Sequence, residues 1–261
     1  MSFSLSGATR FRLTLEYDGS RFFGWQRQAP GIPTVQGAVE QALEALCGHP
    51  VLLVGAGRTD TGVHALGQVA HFDTLKPRNP EVFVRALNVL TPPEVTILDA
   101  AQVSGGFNAR RAAWREYRYR ILHRRAASAL DRGRAWHHPG RLNLDAMNQA
   151  AAYLLGKRDF SAFRAANCQS LTPVRDVTRA ELLPVGDEFH FRVRANAFLY
   201  HMVRNIVGSL IYVGRDKWSP ERFLEVLNGL DRTQAGPMAP AHGLYLLQVH
   251  YEQPLGPPDP D

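Results

Sequence analysis

The sequence predicts an α+β chain of two β-α-β-β-α-β halves, each a ferredoxin-like antiparallel sheet with helices on one face. Three observations predict it. A length of 261 residues can bury one large core or two modest ones. Period-two and helical apolar patterns follow one another in the same order twice along the chain. The charge also changes between the halves: residues 1–105 carry 8 Lys and Arg against 9 Asp and Glu, a net of −1. Residues 106–261 carry 22 against 15, a net of +7.

In the first half, Phe11, Leu13 and Leu15 alternate with polar residues, which makes Arg10–Tyr17 a strand. Thr34 is placed to cap a helix in which Val35, Ala38, Val39, Ala42, Leu43 and Leu46 recur at helical spacing. Strands follow near Val51–Ala56 and Gln68–Asp73, then a helix near Pro80–Leu90 and a strand near Thr96–Val103. The second half opens with a strand at Trp114–Leu122 and a helix at Leu144–Leu155, capped by Asn143. Strands fit Val177–Leu183 and Glu188–Ala197, separated by the turn Val185-Gly-Asp187. Leu199, Met202, Val203, Ile206, Val207, Leu210 and Ile211 form one stripe of a helix at Leu199–Tyr212. A helix at Pro220–Leu230 and a strand at Leu244–Tyr251 complete the pattern. The order of elements, rather than any self-similarity of sequence, carries the duplication. The halves are thus 1–105 and 106–252, and the proline-rich residues 253–261 read as a disordered tail.

Composition narrows the function. No apolar run approaches the roughly 20 residues needed to span a bilayer. Met1 to Arg10 is short, polar and interrupted by glycine, unlike a signal peptide. Cys47 and Cys168 are too few for a disulfide scaffold and too isolated for a zinc site, so the expected compartment is a reducing cytoplasm. Seven arginines and one acid, Glu116, lie within Arg110–Arg125, interleaved with Tyr117 and Tyr119. That pattern suits a phosphate backbone and stacked bases. The competing reading is a solvated face in a chain that uses 27 Arg against 3 Lys.

The stretch "VLLVGAGRTDTGVH" (Val51–His64) begins as a nucleotide-binding turn and then departs from it. A dinucleotide fingerprint needs a third glycine where Asp60 stands, and a carboxylate there would repel a pyrophosphate. No Gly-Lys-Ser/Thr follows, which removes a Walker loop. A metal site from Asp60, His64 and His71 would have to bridge a turn and the following strand, not one helical face. No Gly-x-Ser-x-Gly elbow supports a serine nucleophile. Asp60 alone could simply bond its own backbone in a turn. Glycines 55, 57 and 62 crowd the same loop, however, and permit close backbone approach by a ligand, with Arg58 two residues from the carboxylate.

"GRTDTGVHALGQVAHF" (Gly57–Phe72) resembles the signature of the TruA family of tRNA pseudouridine synthases. "YDGSRFFGWQRQ" (Tyr17–Gln28), "TVQGAVEQAL" (Thr34–Leu43) and "FNARRAAWREYRYRI" (Phe107–Ile121) resemble further blocks of that family in the right order. So do "DFSAFRAANCQSLTPVR" (Asp159–Arg175), "ANAFLYHMVRNIVGSL" (Ala195–Leu210) and "GLYLLQVHY" (Gly243–Tyr251). Thr61 is one departure, since the family usually has alanine there. The resemblance implies two ferredoxin-like halves joined around a central basic cleft. It implies isomerisation of uridine to pseudouridine in the anticodon stem-loop of tRNA, at positions 38, 39 and 40, by a cofactor-free and metal-free homodimer.

Carried onto this chain, the resemblance makes Asp60 the catalytic carboxylate. Arg58 would help pry the uridine from its stack, Tyr117 would pack against the base, Arg204 would pair with the aspartate and Leu244 would line the pocket. Each has a plainer reading: Tyr117 could be sheet filling, and Arg204, at the edge of its helix's stripe, could snorkel to solvent. Arg110, Arg111 and Arg115 are the candidate RNA contacts. The isomerisation changes no oxidation state, so it calls for no redox cofactor, and it needs a carboxylate either to attack the nucleoside or to remove a sugar proton. Flipping the base costs a few kcal/mol, which an inserted arginine and an aromatic face would offset. A non-catalytic RNA-recognition module would carry "K/R-G-F/Y-G/A-F-V-x-F/Y", and no such segment occurs. A nicotinamide-dependent enzyme meets the same objection at Asp60.

Overall fold

The computed structural model describes residues 7–252, so the tail expected at 253–261 lies outside the described residues. Ten strands and five α-helices occur among the described residues, and they group into two compact units. The first unit runs to Ala113 and takes up the chain again from Leu246; the second is Trp114–Tyr245.

In the first unit, β1 (Thr9–Tyr17) is followed by α1 (Val35–Cys47), β2 (Val54–Gly55), β3 (His64–Thr74), α2 (Pro80–Leu90) and β4 (Val95–Val103). The strands lie in the order β4-β1-β3, with β2 on β3, and every pairing is antiparallel. Phe11, Leu13 and Leu15 of β1 are fully buried. The Phe11 ring lies 5.7 Å from Phe72 of β3 and 4.7 Å from Phe83 of α2, which seals that helix to the sheet. Truncating such a core phenylalanine costs roughly 3–5 kcal/mol. Both helices start as their sequences predict: the Thr34 side chain accepts from Gly37 N, and Asn79 accepts from Glu81 N ahead of Pro80.

The expected strand at Val51–Ala56 shrinks to Val54–Gly55. Side chains of α1 satisfy the preceding backbone instead: Glu40 accepts from Leu53 N at 2.9 Å and Gln36 donates to Leu53 O at 3.0 Å. With both of its backbone groups occupied, Leu53 has no need of a ladder. Between Leu15↔Gln68 and Tyr17↔Ala65 the register slips by one residue, a bulge in β3 just before it reaches the loop at Asp60.

The second unit contains β5 (Trp114–Leu122), β6 (Trp136–His137), α3 (Leu144–Ala152), β7 (Gly156–Asp159), β8 (Val174–Val185) and β9 (Glu188–Ala195), then α4 (Met202–Gly214) and α5 (Pro220–Gly229). Its strand order is β5-β9-β8-β7, antiparallel throughout, with β6 parallel to β5. β8 and β9 form a two-residue hairpin at Gly186-Asp187, where Gly186 takes φ +57°. Helix α4 begins at Met202 rather than Leu199, because His201 takes φ +62° and cannot continue a right-handed helix. Phe160, Phe163, Phe191, Ile206, Leu210 and Phe223 form the core. The last strand, β10 (Leu244–His250), begins in the second unit and ends in the first, where it runs beside β3.

Candidate active site

In the first unit, β2 hands the chain to the loop that carries Arg58 and Asp60. The Ala56 amide still bonds Val69 O at 2.7 Å, and the fully buried Gln68 donates to Gly57 O at 2.9 Å. Thr59 then turns inward, its hydroxyl 2.8 Å from Tyr17 OH. The Asp60 carbonyl accepts from Val63 N at 3.1 Å, closing a turn whose third residue, Gly62, has the φ of +78° that a type II turn requires there. The turn is thus closed through the Asp60 backbone. Asp60 is half-buried and Arg58 exposed.

A second segment clamps this loop. Trp25 N donates to Thr59 O at 3.0 Å, and Gly24, at φ +88°, lies flat against the loop's backbone. A Cβ on Gly24 would sit 2.7 Å from Thr59 O and 3.3 Å from the Asp60 carbonyl carbon. The buried Trp25 ring covers Gly55 so closely that a Cβ there would meet ring atoms at 2.6 Å. Gly55 therefore admits an indole, where close approach by a ligand was expected. Sequence reading passed over Tyr17, Gly24, Trp25 and Gln68, although the block "YDGSRFFGWQRQ" holds three of them.

His64 and His71 are already engaged. His64 Nδ1 accepts from Gly19 N at 3.1 Å and lies 3.2 Å from an Asp18 oxygen. His71 Nδ1 accepts from Ala109 N at 3.2 Å. Burial, helped by the charges of Arg10 and Arg110, holds the His71 imidazole down at about 4. Arg110 and Arg111 stand exposed on the short 3-10 turn after Asn108, whose side chain accepts from Arg110 N.

The remaining candidates belong to the second unit. Tyr117 on β5 is 8% exposed and meets Phe198 edge-on, with ring centroids 4.9 Å apart. Tyr119, two residues on, is fully buried; its hydroxyl donates to Pro240 O at 2.7 Å and its ring lies against Gly243. Burial pushes that hydroxyl's pKa well up, so it stays a proton-bearing structural group. Arg204, in the first turn of α4, is 9% exposed and donates through Nε to Ala239 O at 2.9 Å, so it does not snorkel. Leu244 is buried where β10 begins. Arg115 donates to Asn196 O at 2.7 Å.

A profile of tRNA pseudouridine synthases matches residues 14–110 and 150–252, which include the Asp60 loop, the segment that clamps it and α4. Proteins called tRNA pseudouridine synthase A resemble the chain along nearly its whole length. Those of Rhodospirillum rubrum and Xanthobacter autotrophicus are each 47% identical over 244 residues, 93% of this chain and 87% and 99% of theirs. That of Paramagnetospirillum magneticum is 48% identical over 244 residues, 93% of this chain and 95% of its own. The chain belongs to the tRNA pseudouridine synthase family.

Proposed function

We infer that the chain isomerises uridine to pseudouridine in tRNA, and propose that its targets are positions 38, 39 and 40 of the anticodon stem-loop. The reaction breaks the N1–C1′ bond and joins C1′ to C5; N1 gains a proton and C5 gives one up. Asp60 is the reacting carboxylate in this reading, with Arg58 holding the helix open after the base has left. Tyr117 packs against the uracil, Leu244 lines its pocket, and Arg204 pairs with Asp60. A buried arginine beside a half-buried carboxylate would keep it ionised where water is scarce.

One observation carries the proposal. The loop of the family-like signature, with Asp60 in its glycine-rich turn, is held by backbone bonds from Ala56, Trp25 and Val63 and by the side chains of Thr59 and Gln68, a fixed frame that supports a reacting role for Asp60. Tandem ferredoxin-like halves around a basic cleft fit this function; the order β4-β1-β3-β2 and the antiparallel pairing of the first unit favour that description. Arg110, Arg111 and Arg115 would then contact tRNA phosphates. A cytoplasmic setting suits the substrate, and among the described residues no helix is long and apolar enough to cross a membrane. The working unit is a homodimer, for which light scattering should give twice the 29.1 kDa of the chain; the monomer mass with full activity would refute it.

Asp60→Asn tests the central assignment, because it keeps shape and hydrogen-bonding capacity while removing the charge. The expected result is no detectable pseudouridine in tRNA from a variant that melts close to wild type and still binds tRNA. Wild-type turnover would remove Asp60 from the chemistry, and inactivity accompanied by unfolding would return it to a turn-forming role.

A further inference from the structure

The arginine-rich face of the second unit's sheet carries one arginine, Arg118, with no ion pair of its own among the described residues. β5 presents Glu116, Arg118 and Arg120 to this face, opposite Arg194, Arg192 and His190 of β9. Glu116 is 1% exposed and accepts from three guanidiniums: Arg179 at 3.2 Å, Arg192 at 2.5 Å and Arg194 at 2.6 Å. Burial pushes the Glu116 carboxyl up, but the bonds and charges of Arg194 and Arg192 outweigh it and hold the pKa below the usual range. Arg179 also holds Glu181. Arg120 takes the other two acids, Glu188 at 2.5 Å and Asp131 at 2.7 Å.

Five arginines thus share four carboxylates, and Arg118 is the one left over. Arg192 lies directly across the ladder and Arg120 two residues on, the Tyr245 ring centroid is 5.2 Å from the guanidinium carbon, and Glu188, already bonded to Arg120, is the carboxylate whose charge reaches it. Like charges directly opposite in a sheet are destabilising. The Arg118 Nε is buried and bonds nothing among the described residues. Burial and the charge of Arg120 lower its pKa, though not enough to discharge a guanidinium. The guanidinium lies over an aromatic ring, its Nε unbonded among the described residues and two further guanidiniums, of Arg120 and Arg192, acting on it. Such a fork matches the oxygens of a phosphodiester.

We propose that Arg118, over the Tyr245 ring and beside Arg192 on the arginine-rich face of the second unit's sheet, holds one backbone phosphate of the tRNA substrate. This rests on the reading of tRNA as substrate and adds a contact beyond Arg110, Arg111 and Arg115. A bound phosphate would relieve the repulsion between Arg118 and Arg192. The site recognises charge and no base, so it would serve every tRNA alike.

The test is the salt dependence of tRNA affinity, measured by filter binding with unmodified tRNA transcript on wild type, Arg118→Gln and Arg118→Lys. One phosphate contact contributes about 0.7–0.9 to the slope of log affinity against log salt. Arg118→Gln should lower the slope by about that amount and weaken binding roughly tenfold near physiological salt, while Arg118→Lys restores the slope. An unchanged slope in a normally melting Arg118→Gln, or a changed molecular mass in its place, would overturn the proposal and leave a cation–π pair or a protein contact. Pseudouridine formation by wild type in the same preparation separates the two levels. If it fails, the substrate reading fails; if it succeeds and the slope is unmoved, only the phosphate site does.

Discussion

Gly24→Ala should damage both folding and turnover, and the structure sets the size of each effect. At φ +88° an L-residue pays about 1–2 kcal/mol for its backbone conformation alone. The new methyl would also lie 2.7 Å from Thr59 O, 3.2 Å from Thr61 N and 3.3 Å from the Asp60 carbonyl carbon. All three are backbone atoms, so no rotamer change relieves the clash, and the loop itself must move. Overpacking of this kind costs roughly 1–3 kcal/mol. The sum, about 2–5 kcal/mol, corresponds to a fall in Tm of roughly 4–20 °C for a chain of this size. A shift of the Asp60 loop by about 1 Å should also cut turnover on the order of a hundredfold at temperatures where the variant is folded. Gly31→Ala is the matched control, since Gly31 has the same φ of +88° and nothing within 4 Å of its missing Cβ. Differential scanning calorimetry and pseudouridine formation on both variants separate backbone strain from collision. If Gly24→Ala melts and turns over like Gly31→Ala, the clamp on the Asp60 loop is not what positions it.

Stability should fall as pH drops from about 6.5 to about 4, because His71 titrates at about 4 folded and near 6.5 unfolded. The unfolded chain takes the proton first, so the stability is complete above 6.5 and is lost on the way down; a 2.5-unit difference corresponds to at most about 3 kcal/mol. His71→Gln should flatten that part of a urea-denaturation series, and a curve as steep as wild type would refute the assignment. Tyr119→Phe should lose about 1–2 kcal/mol, because it strands the Pro240 carbonyl, yet turn over normally once folded. Tyr117→Phe keeps the ring and should weaken tRNA affinity by less than about tenfold, or 1.4 kcal/mol. Inactivity of folded Tyr119→Phe would move the base-packing role to that residue.

Local signals were legible wherever a short window contains the whole cause. Pro80–Leu90 and Trp114–Leu122 have the bounds that periodicity predicts, and Thr34 and Asn143 cap their helices through a hydrogen bond to an amide three residues away. Two of the departures have longer-range causes. Val51–Leu53 reads as strand by composition, but Gln36 and Glu40 of the upstream helix take the backbone groups of Leu53. The short strand β7 (Gly156–Asp159) has no alternation of its own and exists by pairing with β8. Helix α4 starts three residues late because of a single positive φ at His201.

The candidate site divides the same way. Asp60 stood out in the sequence because a carboxylate in a glycine-rich turn after an apolar run is chemically conspicuous, and the family-like blocks carried the rest of the residue list. The residues that hold its loop were not legible. Tyr17, Gly24 and Trp25 lie more than thirty positions upstream, and only packing brings their hydroxyl, bare Cα and indole onto Thr59, the Asp60 backbone and Gly55. The arginine-rich run shows the limit most clearly: sequence counts seven positive charges between Arg110 and Arg125. Tertiary structure assigns Arg120 to Glu188 and Asp131, spends Glu116 on partners from β8 and β9, and leaves Arg118 without an ion pair of its own among the described residues. Charge is a property of composition, whereas its neutralisation depends on which strands lie side by side, and that depends on contacts far apart in the chain.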